Sequence, residues 1–263
     1  MEKSRRNFIK NAGLFGIAGL SAQASGTVIL KSISMNKSSE RPKVLFFDVN
    51  ETLLDLGPLK KSVAAALGGK EDLVTLWFTT MLQYSLVVTT VNRYEDFGDI
   101  GAATLRMVAK NNGIDLNQKD AKDAISPIKS LPPHPEVKQA LKDLRMENFK
   151  LVSLTNSSNE AVRTQFKNAG LTDFFDEMLS IEDIGKYKPH LDTYNWASRK
   201  MGIKPEESML IAAHGWDIAG ALWANWRAAF ISRPGKQLFP LAPQPEIIEP
   251  NLEQVAQKIL KLQ

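Results

Sequence analysis

Two hydrophobic rhythms alternate along the chain. Val44-Leu45-Phe46-Phe47 is a short uninterrupted apolar run that ends on Asp48, the pattern of a strand buried on both faces of a parallel sheet. Comparable runs lie at residues 151–154, 209–213 and 228–232. Around them, apolar residues recur at helical spacing over residues 135–147, 158–169, 191–201 and 216–226. Strands alternating with helices predict an α/β fold, a doubly wound parallel sheet, in which ligands gather outside the carboxyl ends of the strands. Between residues 59 and 130 the strand pattern stops, and three helices are expected over residues 73–88, 100–111 and 118–125. Leu131-Pro132-Pro133 marks the return. The expected organisation is a core domain of residues 43–58 and 131–263, with a helical cap of residues 59–130 inserted after the first strand. Asn251-Leu252-Glu253-Gln254 reads as a helix start.

The N-terminus follows neither rhythm. A charged opening with Arg5 and Arg6 precedes a short, Gly-diluted apolar stretch at residues 12–20 and a small-residue site, Ala22-Gln23-Ala24. Ser4-Arg5-Arg6-Asn7-Phe8-Ile9-Lys10 resembles a twin-arginine export signal. Residues 1–24 are therefore expected to be a signal peptide cut after Ala24, residues 25–42 a Ser- and Lys-rich linker, and the protein periplasmic. The apolar stretch falls short of the roughly 20 residues a membrane span needs, so no stable membrane anchor is expected. Lys3, Arg5, Arg6 and Lys10 against Glu2 give this segment +3 of the formal +4, leaving +1 for the rest. That balance asks for no nucleic-acid partner. With 43% hydrophobic residues the chain can bury a sizeable core, and with 0 Cys it has no disulfide, thiolate nucleophile or thiolate metal site.

Chemistry collects at the predicted strand ends. A carboxylate there, beside a fixed cation, can act as a nucleophile that forms an ester, and Asp48 has that position. Thr155 and Asn156 follow the second run, Lys188 lies in Lys186-Tyr187-Lys188-Pro189, and His214 and Asp217 follow the run at residues 209–213. In order, FFDVNETLLDL (residues 46–56), LTNSS (154–158), KYKP (186–189) and AAHGWD (212–217) resemble the four motifs of the haloacid dehalogenase superfamily, and in particular its 2-haloacid dehalogenases. The resemblance runs from about Lys43 to the C-terminus. In the insertion, Trp77, Leu82 and Tyr84, and Arg93-Tyr94-Glu95-Asp96-Phe97, are similar to the substrate-facing part of a dehalogenase cap.

The resemblance implies catalytic roles for Asp48, Lys188, Asp217 and His214. Asp48 would be the nucleophile and Lys188 the cation that keeps it ionised. Asp217 would position or deprotonate water, and His214 would assist as a base. Substrate contacts are expected from Asn50, Thr155, Asn156, Phe78, Leu82, Phe97, Tyr194 and Trp216, although Leu82, Phe97, Tyr194 and Trp216 read equally well as core packing. Ser157 reads as a helix N-cap and Lys186 as a solvated side chain. Two departures bear on the reaction. Magnesium-dependent superfamily phosphatases carry acids where this chain has Asn50 and Ala213, so no metal or cofactor is expected. Better-known dehalogenases have an Arg after the cap Trp, where this chain has Phe78. Losing such a donor to a leaving anion costs roughly 2.7 to 4 kcal/mol. The expected function is metal-independent hydrolytic dehalogenation of small 2-haloalkanoic acids. A phosphatase acting on small phosphate esters and a catalytically weak periplasmic carboxylate-binding protein are the alternatives. The expected partners are a small anionic substrate and the twin-arginine export machinery, with a homodimer allowed.

Overall fold

The computed structural model describes residues 41–262. The segments expected to be an export signal and, for nearly all its length, a linker lie outside the described residues. Strand β1 (Val44–Phe47) is followed by four helices, α1 (Gly57–Ala66), α2 (Asp72–Thr90), α3 (Phe97–Asn111) and α4 (Gln118–Ile125), and a 3-10 turn at Ser126–Ser130. Then come α5 (Val137–Met146), β2 (Lys150–Thr155), α6 (Asn159–Ala169), β3 (Glu177–Ser180) and α7 (Leu191–Met201). The chain continues through β4 (Ser208–Ala212), α8 (Gly215–Trp223), β5 (Arg227–Ile231), β6 (Ile247–Glu249) and α9 (Leu252–Ile259). The six strands form one sheet in the order β3-β2-β1-β4-β5-β6, every adjacent pair parallel.

Alternation along β1 builds two cores. Leu45 and Phe47 enter one apolar layer with α5, α6 and α9, and Val44 and Phe46 enter the other with α7 and α8. Every β1 residue is buried, which is why the strand reads as a continuous apolar run. On α5 the i, i+3, i+4, i+7 set of Val137, Ala140, Leu141 and Leu144 faces the sheet, and each fully buried Leu is worth about 1.5–3 kcal/mol. The register pairs Phe46 with Val152 and with Leu210. The carboxyl ends of β1, β2 and β4 thereby lie side by side, and Asp48, Asn156 and Ala213 follow them.

Four helices lie between β1 and α5. The first of them, α1, has no counterpart in the sequence expectation, whose first helix in this stretch begins at residue 73. In the structure Pro58 lies in the first turn, where its missing N–H costs nothing. Helix α2 is long and apolar enough by length and composition to cross a membrane. Its Leu73, Val74, Trp77 and Met81 are buried in the core shared with α3 and the sheet.

Candidate active site

The three donors of one buried ammonium organise the centre. Lys188 Nζ donates to Asp48 Oδ1 at 2.9 Å, to the Leu154 carbonyl at 2.8 Å and to Asp217 Oδ2 at 2.7 Å. Its side chain is 1% exposed, so every proton it has is spent on a protein acceptor. The Lys188 backbone N–H is tied to Asn156 Oδ1 at 3.1 Å, locking the loop before α7 onto the end of β2. Burial opposes the charge on Lys188, but Asp217 and Asp48 outweigh it and hold its pKa above the usual value.

Asp48 leaves β1 with its N–H on the Ile211 carbonyl of β4. Its two oxygens differ. Oδ1 meets Lys188, whereas Oδ2 accepts from Thr52 Oγ1 at 2.6 Å and lies 3.0 Å from His214 Nδ1. Thr52 is oriented in turn by the Ala213 N–H at 2.9 Å. Burial alone would raise the Asp48 pKa. The Lys188 charge, the His214 hydrogen bond and charge, and Thr52 reverse that, and the carboxyl is held well below the usual range. Asp217 moves the other way: burial and the Asp48 charge raise it against the pull of Lys188. Both carboxylates accept from Lys188, and the cation with His214 and Thr52 keeps Asp48 ionised, as a nucleophile requires.

His214 stands before α8 at the end of β4, and its second nitrogen, Nε2, lies 3.1 Å from Glu51 Oε2. Glu51 also accepts from Lys60 at 2.9 Å and is paired with Lys236. Burial opposes ionisation of Glu51, but bonds from His214, Lys236 and Lys60 hold its carboxyl well below the usual range. The imidazole is stacked on Trp216, with centroids 5.0 Å apart, and on Phe78, at 6.2 Å. Burial disfavours the charged ring. The bonds to Asp48 and Glu51 prevail and push its pKa up to about 9.

A cavity of about 390 Å³ opens beside Asp48 and is lined by both the sheet ends and the insertion. Asp48, Asn50, Thr155, Asn156, Phe78, Leu82, Phe97, His214 and Trp216 all border it. Tyr194 does not. It is 0% exposed and donates to Asp217 Oδ1 at 2.6 Å, so it holds a carboxylate and does not face substrate. Asp217 is equally buried, with one oxygen on Tyr194 and the other on Lys188. The structure places it behind the lysine, and it does not border the cavity. Ser157 is not the N-cap of α6, a position taken by Ser158. Ser157 borders the cavity and accepts from Asn50 Nδ2 at 3.1 Å, while Asn50 Oδ1 accepts from Gln165 Nε2 at 2.8 Å. Asn50 is thus fixed at both ends of its amide. Lys186 reaches Asn92 and the Thr89 carbonyl, away from Asp48.

Thr52, Glu51, Lys236 and Gln165 belong to the centre and were not singled out by sequence reasoning. Thr52 carried a signal, a hydroxyl four positions after a strand-end carboxylate. Glu51, Lys236 and Gln165 carried none, because long-range packing brings them in.

Comparison with known proteins bears on this arrangement. The family description "haloacid dehalogenase-like hydrolase" matches residues 42–225. (S)-2-Haloacid dehalogenase 1 of Pseudomonas sp. (strain CBS-3) is 29% identical over 219 residues, spanning 82% of this chain and 96% of that protein. Haloacetate dehalogenase H-2 of Moraxella sp. (strain B) is 25% identical over 218 residues, 82% of this chain and 97% of that protein. Among solved structures, L-2-haloacid dehalogenase from Xanthobacter autotrophicus superposes with a TM-score of 0.77 at 23% identity, covering 83% of this chain and 98% of the other.

Proposed function

The chain belongs to the haloacid dehalogenase-like hydrolases, and from that premise we propose that it hydrolyses the carbon–halogen bond of small 2-haloalkanoic acids, without a metal, through an ester on Asp48. The observation that carries this reading is the Asp48 carboxylate, ionised against Lys188 at the border of an apolar cavity. Oδ2 already accepts from Thr52 and His214, whereas Oδ1 has only Lys188 and keeps a free lone pair for attack. Oδ1 would displace halide from the substrate carbon, and water would then attack Cγ and release a 2-hydroxy acid. Thr155 and the Asn156 amide, both bordering the cavity, supply donors for the substrate carboxylate. The helices between β1 and α5 serve as a cap that lines the cavity over Asp48. Asp217 and Tyr194 act through Lys188, holding its ammonium on Asp48.

The decisive experiment is halide release from bromoacetate and from both enantiomers of 2-chloropropionate by the purified protein in excess EDTA. Release by the wild type and none by a folded Asp48→Ala variant is expected. Halide release that survives Asp48→Ala, or that needs magnesium, would sink the reading. Export by the twin-arginine route to the periplasm is part of the same proposal and rests on the Ser4–Lys10 segment. Replacing Arg5 and Arg6 together by Lys should then leave the protein in the cytoplasmic fraction, and unchanged periplasmic recovery would count against export by this route.

A further inference from the structure

Both ring nitrogens of His214 face carboxylate oxygens, Asp48 Oδ2 at 3.0 Å and Glu51 Oε2 at 3.1 Å. An ionised carboxylate can only accept. The ring therefore carries a proton on each nitrogen and is a fixed imidazolium in the resting protein, with no lone pair to take a proton from water. Phe78 and Trp216 lie nearly parallel beside the ring, and Lys60 and Lys236 neutralise the far side of Glu51. Glu51 itself sits at φ 67, a left-handed conformation that costs a non-glycine residue energy and persists where surroundings over-determine it. Its N–H bonds to Leu54, its carbonyl meets His134, and its side chain meets three cations.

We propose that His214 acts as a permanent cationic hydrogen-bond donor to Asp48 Oδ2, forming with Thr52 an oxyanion site for hydrolysis of the Asp48 ester, and that Glu51 is the positioning residue that holds it there. The inference rests on the dehalogenase reading. When Oδ1 displaces halide, the carbon–halogen electron pair leaves with the halide and Oδ2 becomes the ester carbonyl oxygen, still between His214 and Thr52. Water adds to Cγ and loses one proton to solvent, and the carbonyl electron pair moves onto Oδ2. Charge appears at the atom that two donors already address. Return of the pair breaks the bond from Cγ to Oδ1, the departing alkoxide takes the second proton of the added water, and the Asp48 carboxylate is restored. The charged groups facing the ring are Asp48 and Glu51, with Lys188 behind the first and Lys60 and Lys236 behind the second.

The first test is an NMR titration of the imidazole in the purified full chain, which needs no activity. A doubly protonated ring at pH 7.5 that titrates near pH 9 is expected, with the midpoint lowered by a unit or more in Glu51→Gln. A neutral ring at pH 7.5, or a midpoint insensitive to Glu51→Gln, overturns the proposal. The second test is turnover of bromoacetate. The rate should fall as pH rises through the midpoint, and His214→Phe should give one halide per active site followed by a steady state 100- to 1000-fold slower. Alkylated enzyme should then be visible by mass spectrometry, and His214→Asn, which returns a neutral donor, should recover part of the rate. A rate that rises with pH through the midpoint, or a His214→Phe steady state equal to wild type, means a base or a spectator and overturns it. A wild type that releases no halide at all refutes the dehalogenase reading, while the titration still decides the charge state of the ring.

Discussion

Phe78 shows how a single side chain changes meaning once its neighbours are known. From sequence, an apolar ring in place of an arginine is a missing halide donor, and Phe78→Arg is expected to raise turnover if halide stabilisation limits the rate. In the structure the ring lies nearly parallel to His214, with an interplanar angle of 19°, and Lys236 Nζ is 5.9 Å from its centroid. A guanidinium at this position would stand against an imidazolium and an ammonium, and like charges at such distances disfavour one another. Phe78→Arg is therefore expected to lower the His214 pKa and to reduce kcat on 2-chloropropionate by roughly tenfold or more, the rate equivalent of about 1.4 kcal/mol. A gain in kcat by a folded variant would show instead that halide stabilisation limits the rate. The Phe78 substitution was legible in the sequence; its partner was not, since nothing local to Trp77-Phe78 points to a histidine after β4.

At the scale of elements, the segments that escaped sequence reasoning are those whose signal is tertiary. Strand β3 runs Glu177-Met178-Leu179-Ser180 with only its last two residues buried, and β6 is three residues at the sheet edge, too short and too polar for an apolar run. The buried β1, β2, β4 and β5 announced themselves because parallel strands covered on both faces must be apolar throughout. Helix α8 was legible too, but not why it carries Gly220. A Cβ there would lie 2.6 Å from Tyr194 Oη and 2.6 Å from Pro189 Cβ, closer than packed atoms allow. The missing side chain lets Tyr194 reach Asp217. Gly220→Ala should displace the phenol, leave a buried carboxylate short of a donor, and destabilise the protein by about 1–3 kcal/mol in urea unfolding. Tyr194→Phe, which removes only the hydroxyl, should reproduce part of that loss. A Gly220→Ala variant as stable as wild type would mean that α8 and α7 can separate without cost to the site.

For the whole molecule the charge cluster at the strand ends makes stability depend on pH in a stated direction. The folded His214 pKa of about 9 lies above the ordinary 6.5, so its contribution is fully present below about pH 6.5 and is lost as pH rises through 9. The difference corresponds to on the order of 3 kcal/mol. Asp48 and Glu51 are held below their ordinary values of 3.8 and 4.5, so their contribution is present above those values and is lost as pH falls further. Both contributions are in force together between about pH 4.5 and 6.5, and thermal unfolding should give its highest Tm in that window with a decline toward pH 9. Glu51→Gln should flatten the alkaline decline, because it removes one of the two anions that raise the histidine. A Tm that climbs from pH 6.5 to 9 in the wild type would show that the ring is neutral when folded. The acidic limb was in principle readable from a strand-end Asp paired with a motif lysine. The alkaline limb was not, because it needs Glu51, held at positive φ beside β1, to meet His214 from β4 and Lys236 from beyond β5.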